Sequence, residues 1–453
     1  MPKTAKNKLT AAGVRRWLAD YESRNVTFAE PDGSWPIVWE RARGCAVWDL
    51  DGRRYLDLTA AFGVAAAGHA NPRVVRAGQE QLARLPHAMG DVHPHARKAE
   101  LARELSRITF ERWGAPGARA NRSAKTAARL GGKTIFCNSG FEAVEAALKT
   151  ALLATGKRGV IAFEGAYHGL GYGALNATHR DHFRAPFRSQ LGEFGQFVPF
   201  PETAAELDRV AASIRLTAGR APVGAVLVEP VQARGGIRVP PPDFLPLLRR
   251  LCDEHGMLLI LDEIYTGLGR TGRLFACEHS GVLPDLICLG KALTGGFPLS
   301  ACVGRADLMD AAWPPATGEA IHTSTFLGHP VGCAMALAQI REILSRNLPE
   351  RSAALGRFLL AGLRKLASDP RLGRRLRPQA RGLGLMAGLE LSRPDGEPAG
   401  AEAMRIIKNL LRRGFILLPE GAHGQVISFT PPLTITRAQI RRTLAALRAA
   451  LFA

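Results

Sequence analysis

The chain predicts an α/β fold with a mainly parallel sheet, and three observations carry that expectation. Short apolar runs recur through the middle of the sequence, helical stretches separate them, and each run stops at a polar or glycine-rich turn. Five runs read as strands: KTIFCN (133–138), GVIAFEG (159–165), GAVLVEP (224–230), MLLILDE (257–263) and PDLICLG (284–290). Segments such as GFEAVEAALKTALLATG and PDFLPLLRRLCDEHG supply the helices between them. Ahead of this core, GCAVWDLDGRRYLDL sets a D-G pair between two apolar runs, the signature of a hairpin. After about residue 335 come further helices with GLGLMAGLEL and QVISFTPPL. A chain of 453 residues exceeds what one compact core usually holds. The expected organisation is a large domain over 71–334, with 1–70 and 335–453 joining into a smaller one.

Bulk properties exclude several classes. With 46% hydrophobic residues and no apolar run of bilayer length, neither disorder nor a membrane span is indicated. The N-terminus MPKTAKNKLTAAGVRRWLADY is basic but has no apolar signal core, so a cytoplasmic location is expected. Net charge is +20, yet the arginines are spread along helix-like stretches and no basic motif with interleaved aromatics occurs. A nucleic-acid-binding surface is therefore the weaker reading, and the basic stretch 119–133 reads as an exposed insertion. Seven scattered cysteines, none in C-x-x-C spacing, argue for reduced thiols and against zinc or a disulfide framework.

In a doubly wound sheet ligands gather beyond the carboxyl ends of the strands, so the strand ends are where chemistry is sought. At 138–149, NSGFEAVEAALK takes the chain from a strand through Ser139 and Gly140 straight into a helix, whose free N–H groups suit a phosphate. Simple N-capping by Ser139 explains that stretch equally well. Asp262 ends the strand MLLILDE, where capping the next turn is the plain alternative. GLGRTG (267–272) matches the dinucleotide pattern G-x-G-x-x-G, but it sits well past the strand and no acidic residue ends a next strand. Lys291 then stands alone at the end of PDLICLG, with no carboxylate near it in sequence. An amine, a carboxylate and an anion site on successive strand ends are what pyridoxal phosphate chemistry requires: a Schiff-base lysine, a partner for the pyridine nitrogen and a phosphate anchor.

The sequence resembles the class III aminotransferases, fold-type I pyridoxal-phosphate enzymes such as the ornithine, acetylornithine and 4-aminobutyrate aminotransferases. The resemblance covers nearly the whole chain. Its carriers are DLDGRRYLDL with GHANP (49–72), NSGFEAVEAALK, YHG (167–169), EPVQ (229–232), LDEIYTGLGRTG (261–272), LGKALTGGFPLSA (289–301), HTSTFLGHPVGCA (322–334) and RGLGLMAGLEL (381–391). It implies pyridoxal 5'-phosphate as cofactor, Lys291 as Schiff-base lysine and proton shuttle, and Asp262 on the pyridine nitrogen. Ser139, Gly140 and Phe141 would cradle the phosphate; Tyr167 and Ile264 would cover the two ring faces; His168 and Tyr265 would be further cofactor contacts. Thr325 would reach the phosphate of a neighbouring subunit, which implies a homodimer with shared active sites. Phe62, Glu229 and Arg234 fall on the substrate side. The implied reaction moves nitrogen from an amine or ω-amino acid donor to a 2-oxo acid in two half-reactions.

Departures from the family pattern fall where substrates are chosen. Tyr265 stands where Gln is common and could offer its phenol to the ring. Arg234 stands in EPVQARGG where ornithine-type members carry Glu, and Ser428 in VISFTPPL where they carry a late Arg. The usual carboxylate clamp is thus missing, and Arg234 either supplies positive charge from the other side or simply points into solvent. His329, in FLGHP, replaces a common Asn. An amino-acid epimerase or aminomutase on the same scaffold is the rival enzyme reading, since LGK stands where many transaminases show SKG.

Overall fold

The computed structural model describes residues 9–115 and 131–453. From Trp39 the chain lays down three antiparallel strands: β1 (Trp39–Arg43), β2 (Ala46–Asp49) and β3 (Arg54–Asp57). The expected hairpin joins the last two, and Gly52 meets its turn with φ +80°, which glycine adopts without steric cost. The central sheet follows, built from β4 (Gly132–Cys137), β5 (Gly159–Phe163), β6 (Gly195–Val198), β7 (Val223–Val228), β8 (Leu258–Asp262), β9 (Leu286–Leu289) and β10 (Ser300–Arg305). Their spatial order is β4-β10-β9-β8-β7-β5-β6. All five predicted strands are present.

Two members of the sheet escape the sequence reading, β6 and β10. The second matters for the site, because β10 runs antiparallel to both β4 and β9 and is inserted between them. Six strands still point one way, so the sheet remains mainly parallel. Strands β5, β7 and β9 are buried at every residue, as expected of strands covered on both faces. The helix Gly140–Thr155 covers one face with Ala143, Val144, Ala147 and Ala151, small side chains that let it lie close to the strands.

The C-terminal part adds β11 (Arg377–Leu383), β12 (Met386–Ser392), β13 (Phe415–Ile416), β14 (Leu418–Glu420) and β15 (Val426–Phe429). Strands β11, β12, β15 and β14 make an antiparallel sheet in that order, whereas β13 pairs in parallel with β3. N- and C-terminal segments therefore share one sheet. The helix Pro330–Ser345 runs across residues 334 and 335, where the sequence suggests a boundary. One apolar core continues from Ile161 and Leu261 of the central sheet to Leu389 and Phe429 of the C-terminal one.

Among the described residues no helix is long and apolar enough to cross a membrane, and no cluster of His, Cys, Asp and Glu could hold a metal ion. All seven cysteines are buried and free. The basic stretch expected to be an insertion lies outside the described residues up to residue 130.

Candidate active site

Because β4, β5, β7, β8 and β9 point the same way, their carboxyl ends meet along one edge of the sheet. There they deliver Ser139, Tyr167 with His168, Glu229, Asp262 and Lys291. After β4, the N–H groups of Asn138 and Ser139 donate to Glu142 Oε2 at 2.7 and 2.8 Å, and the helix begins at Gly140. The Ser139 hydroxyl is buried without a hydrogen-bond partner among the described residues. The residues form a capping box, but the hydroxyl's side of it falls short of normal hydrogen-bond geometry. Ser300 Oγ, from the first residue of β10, donates to the Ser139 carbonyl at 2.5 Å and ties the turn to the sheet.

Ile264 explains why glycines flank this corner. A β-carbon on Gly140 would lie 3.1 Å from the Ile264 side chain, and one on Gly290 would lie 3.3 Å from it. One isoleucine thus packs against both the helix start and the residue before Lys291. Phe141, next along the helix, is exposed.

Asp262 is buried, and each of its oxygens has one partner. Its Oδ2 meets His168 Nδ1 at 2.8 Å and its Oδ1 accepts from the Ile264 N–H at 3.1 Å. A carboxylate only accepts, so Nδ1 of His168 carries the proton. Nε2 of His168 is buried without a partner.

Lys291 follows β9 with φ +37°, a left-handed conformation rare for a residue with a side chain. Its Nζ stands 4.5 Å from the centroid of the Tyr265 ring, and it makes no ion pair among the described residues. Burial holds its pKa below the ordinary lysine value, against the pull of Asp262, Glu229 and Glu420. More of the amine is therefore neutral near pH 7 than for a free lysine.

The expected substrate-side residues occupy distinct settings. Glu229 is buried with its oxygens taken by the N–H groups of Tyr167 (3.0 Å) and Ala233 (3.1 Å), so it fastens two loops together. Desolvation raises its pKa to about 7. Tyr265 does not offer a free phenol: its hydroxyl lies 3.1 Å from Thr430 Oγ1. Phe62 is exposed within a run of left-handed residues, Ala60, Ala61, Phe62 and Gly63, that approaches Tyr265. Thr325 is exposed in the segment before the helix Pro330–Ser345. Arg234 is neither a solvent-facing charge nor an isolated one. Its guanidinium sits 5.5 Å from the Tyr167 ring centroid and 3.6 Å from Glu420 Oε2.

Glu420 is a residue that sequence reasoning missed. It ends β14, is buried, and has its pKa raised to about 7, chiefly by desolvation. The signal was a lone carboxylate in the apolar run ILLPEG. His329 also finds its explanation here. It is the N-cap of the helix Pro330–Ser345, with Nδ1 accepting from the Val331 N–H at 3.2 Å, the same service Asn71 performs for the helix Pro72–Arg84.

Compared with known families, residues 27–451 match Aminotransferase class-III. The chain belongs to the class III aminotransferases. It is 37% identical over 423 residues to a 5-aminovalerate aminotransferase of Pseudomonas aeruginosa, covering 91% of this chain and 92% of that one. It is 39% identical over 414 residues to a putrescine aminotransferase of Pectobacterium atrosepticum, covering 90% of this chain and 81% of the relative. Among solved structures, a PLP-bound amine transaminase from an uncultivated Pseudomonas species superposes with a TM-score of 0.82 at 29% identity, covering 95% of this chain and 98% of that one. The fold is accordingly that of the fold-type I enzymes, and this aminotransferase depends on pyridoxal phosphate. The residues present fit the cofactor. An orphaned hydroxyl at a helix start, a carboxylate oriented by a histidine, and an amine with no counter-ion among the described residues are of the kinds that suit its phosphate, ring nitrogen and aldehyde.

Proposed function

We propose that Lys291 is the amine that binds the cofactor and carries the transferred proton in this aminotransferase. The observation that carries the reading is a half-buried lysine, in a strained conformation and without an ion pair among the described residues, at the strand edge that also bears Asp262 and Ser139. Ser139, Gly140 and Phe141 hold the phosphate, Asp262 holds the ring nitrogen, and His168 fixes Asp262. Tyr167 and Ile264 lie against the ring faces, with Tyr265 beneath the lysine. When bound, pyridoxal phosphate supplies an aldehyde for the amine and a ring that accepts the electron pair released when the donor's C–H bond breaks. Lys291 Nζ, whose charged form burial disfavours, takes that proton and returns it elsewhere on the reacting molecule.

Donors are primary amines or ω-amino acids, and the acceptor is a 2-oxo acid whose carboxylate Arg234 binds. The names of the relatives, 5-aminovalerate and putrescine aminotransferases, support a terminal amine as the group transferred. Phe62 and Glu229 border the substrate space, Glu229 by holding Tyr167. Work in the cytoplasm accords with seven free thiols. A homodimer with shared sites, Thr325 reaching the other copy's phosphate, is supported by a group of exposed large apolar residues, among them Phe62, Met89, Val92, Phe141, Ile321 and Phe326.

The test is the visible absorption of the purified protein loaded with pyridoxal phosphate, beside Lys291→Ala. The wild type is expected to hold a visible band that a primary amine discharges without any oxo acid, and the variant to lack that band. A Lys291→Ala protein with the same band and the same discharge would refute the assignment.

A further inference from the structure

Three glutamates near the cleft are almost wholly buried, and two of them have both oxygens hydrogen-bonded. Glu263 accepts from Thr266 Oγ1 at 2.9 Å, from the Ala276 N–H at 2.7 Å and from the Cys277 N–H at 2.9 Å. Glu229 accepts two backbone N–H groups. These are structural. Glu420 is different: its side chain is 3% exposed, and its Oε2 has no hydrogen-bond partner among the described residues. The nearest cation, Arg234 Nη1, stands 3.6 Å away, too far for a hydrogen bond. Burying a charge against one long contact costs more than the contact returns, so this arrangement does not serve stability.

Arg234 links Glu420 to Tyr167, which stands on the same strand edge as Lys291. Lys291, Arg234, Arg180 and Glu229 are the charges that bear on it. On the adjoining strand, Glu420 pairs with Val426, and Ser428 is its diagonal neighbour on the same face. Ser428 is short and takes little of that face. Behind the carboxylate, the Gly421 N–H donates to the Arg234 carbonyl at 3.1 Å and Arg180 Nη2 donates to the Ala422 carbonyl at 3.1 Å. The backbone is pinned. What can move is the Arg234 side chain, which is 32% exposed.

We propose that Glu420 is a donor-specificity residue that binds a second positively charged group at the far end of the amine donor, with Arg234 as its resting partner. This rests on the assignment of Lys291 above. An ammonium brings N–H donors to the unpartnered Oε2 and forms the charge-assisted bond that Arg234 does not make. Arg234, displaced from Glu420, is left for the carboxylate of the oxo acid in the second half-reaction. A donor with an uncharged tail gains nothing at Glu420, and one with an anionic tail must approach a carboxylate. The preferred donor class is therefore the diamine or another amine bearing a distal cation.

The experiment compares holoenzymes on 1,4-diaminobutane, 1-aminobutane and 4-aminobutyrate, reading kcat/KM for discharge of the visible band. The wild type is expected to prefer the diamine to the monoamine by about tenfold or more, and Glu420→Gln to lose most of that ratio, while Glu420→Asp keeps its direction. Arg234→Ala, which removes the resting partner, is expected to raise the ratio and to raise KM for the oxo acid. A wild-type ratio near one, a ratio unchanged in Glu420→Gln, or a preference for 4-aminobutyrate would overturn the proposal. Should Glu420→Gln fail to load cofactor, the wild-type ratio and the Arg234→Ala arm decide. If no amine of any tail discharges the wild-type band, the Lys291 assignment fails and takes this one with it.

Discussion

At Lys291 the backbone and the side chain are both held in states that cost free energy. The φ of +37° costs roughly 1–3 kcal/mol for a residue with a side chain, and dehydration disfavours the ammonium. The second cost has a predictable pH signature. The unfolded lysine binds a proton up to its ordinary pKa, whereas the native one releases it at lower pH, so between the two values the unfolded state holds more protons and stability rises with pH. Lys291→Met removes the amine and keeps the bulk. The apoprotein of that variant is expected to melt above the wild type at neutral pH, with the gap closing as pH approaches the ordinary lysine value. Equal gaps at both ends in thermal melts would show that the amine is not dehydrated.

At the scale of elements, β10 does the most that sequence reading did not foresee. Its stretch SACVGR mixes small, polar and charged residues, so it has neither the apolar density of β7 nor clean alternation, and its pairing is nonlocal on both sides. Yet Ser300 supports the turn that carries Ser139. Ser300→Ala removes a donor to a carbonyl at a largely buried site, which is expected to cost about 1–3 kcal/mol and to weaken pyridoxal phosphate retention more than it alters kcat of the loaded enzyme. Cofactor titration beside a urea melt checks this, and unchanged retention would detach Ser300 from the site. The five foreseen strands share a simpler basis: apolar runs closed by a glycine or polar turn. His329 was legible as a departure but not as a cap, because capping depends on where the helix begins.

For the whole molecule, the apolar residues left exposed around the cleft predict a second copy. The helix Ala11–Tyr21 has no buried residue, and its Trp17, Leu18 and Tyr21 are exposed as well. Sedimentation is expected to give a dimer, and Phe326→Asp to shift it toward monomer with loss of activity. A fully active wild-type monomer would contradict the shared site.

The order of strand ends along the chain, with Ser139, Asp262 and Lys291 each just past an apolar run, pointed to pyridoxal phosphate chemistry. A parallel sheet must bring such ends to one edge. The family resemblance rests on the same residues and on the glycines beside them. Tertiary structure alone decided what the outlying polar groups do. Glu229 became a loop fastener, the phenol of Tyr265 turned to Thr430, and Arg234 found Glu420 across 186 positions of sequence (420 − 234). Local patterns record periodicity and turns, whereas the pairing of a loop arginine with a strand-end glutamate is set only when the sheets pack, and no spacing in the chain encodes it.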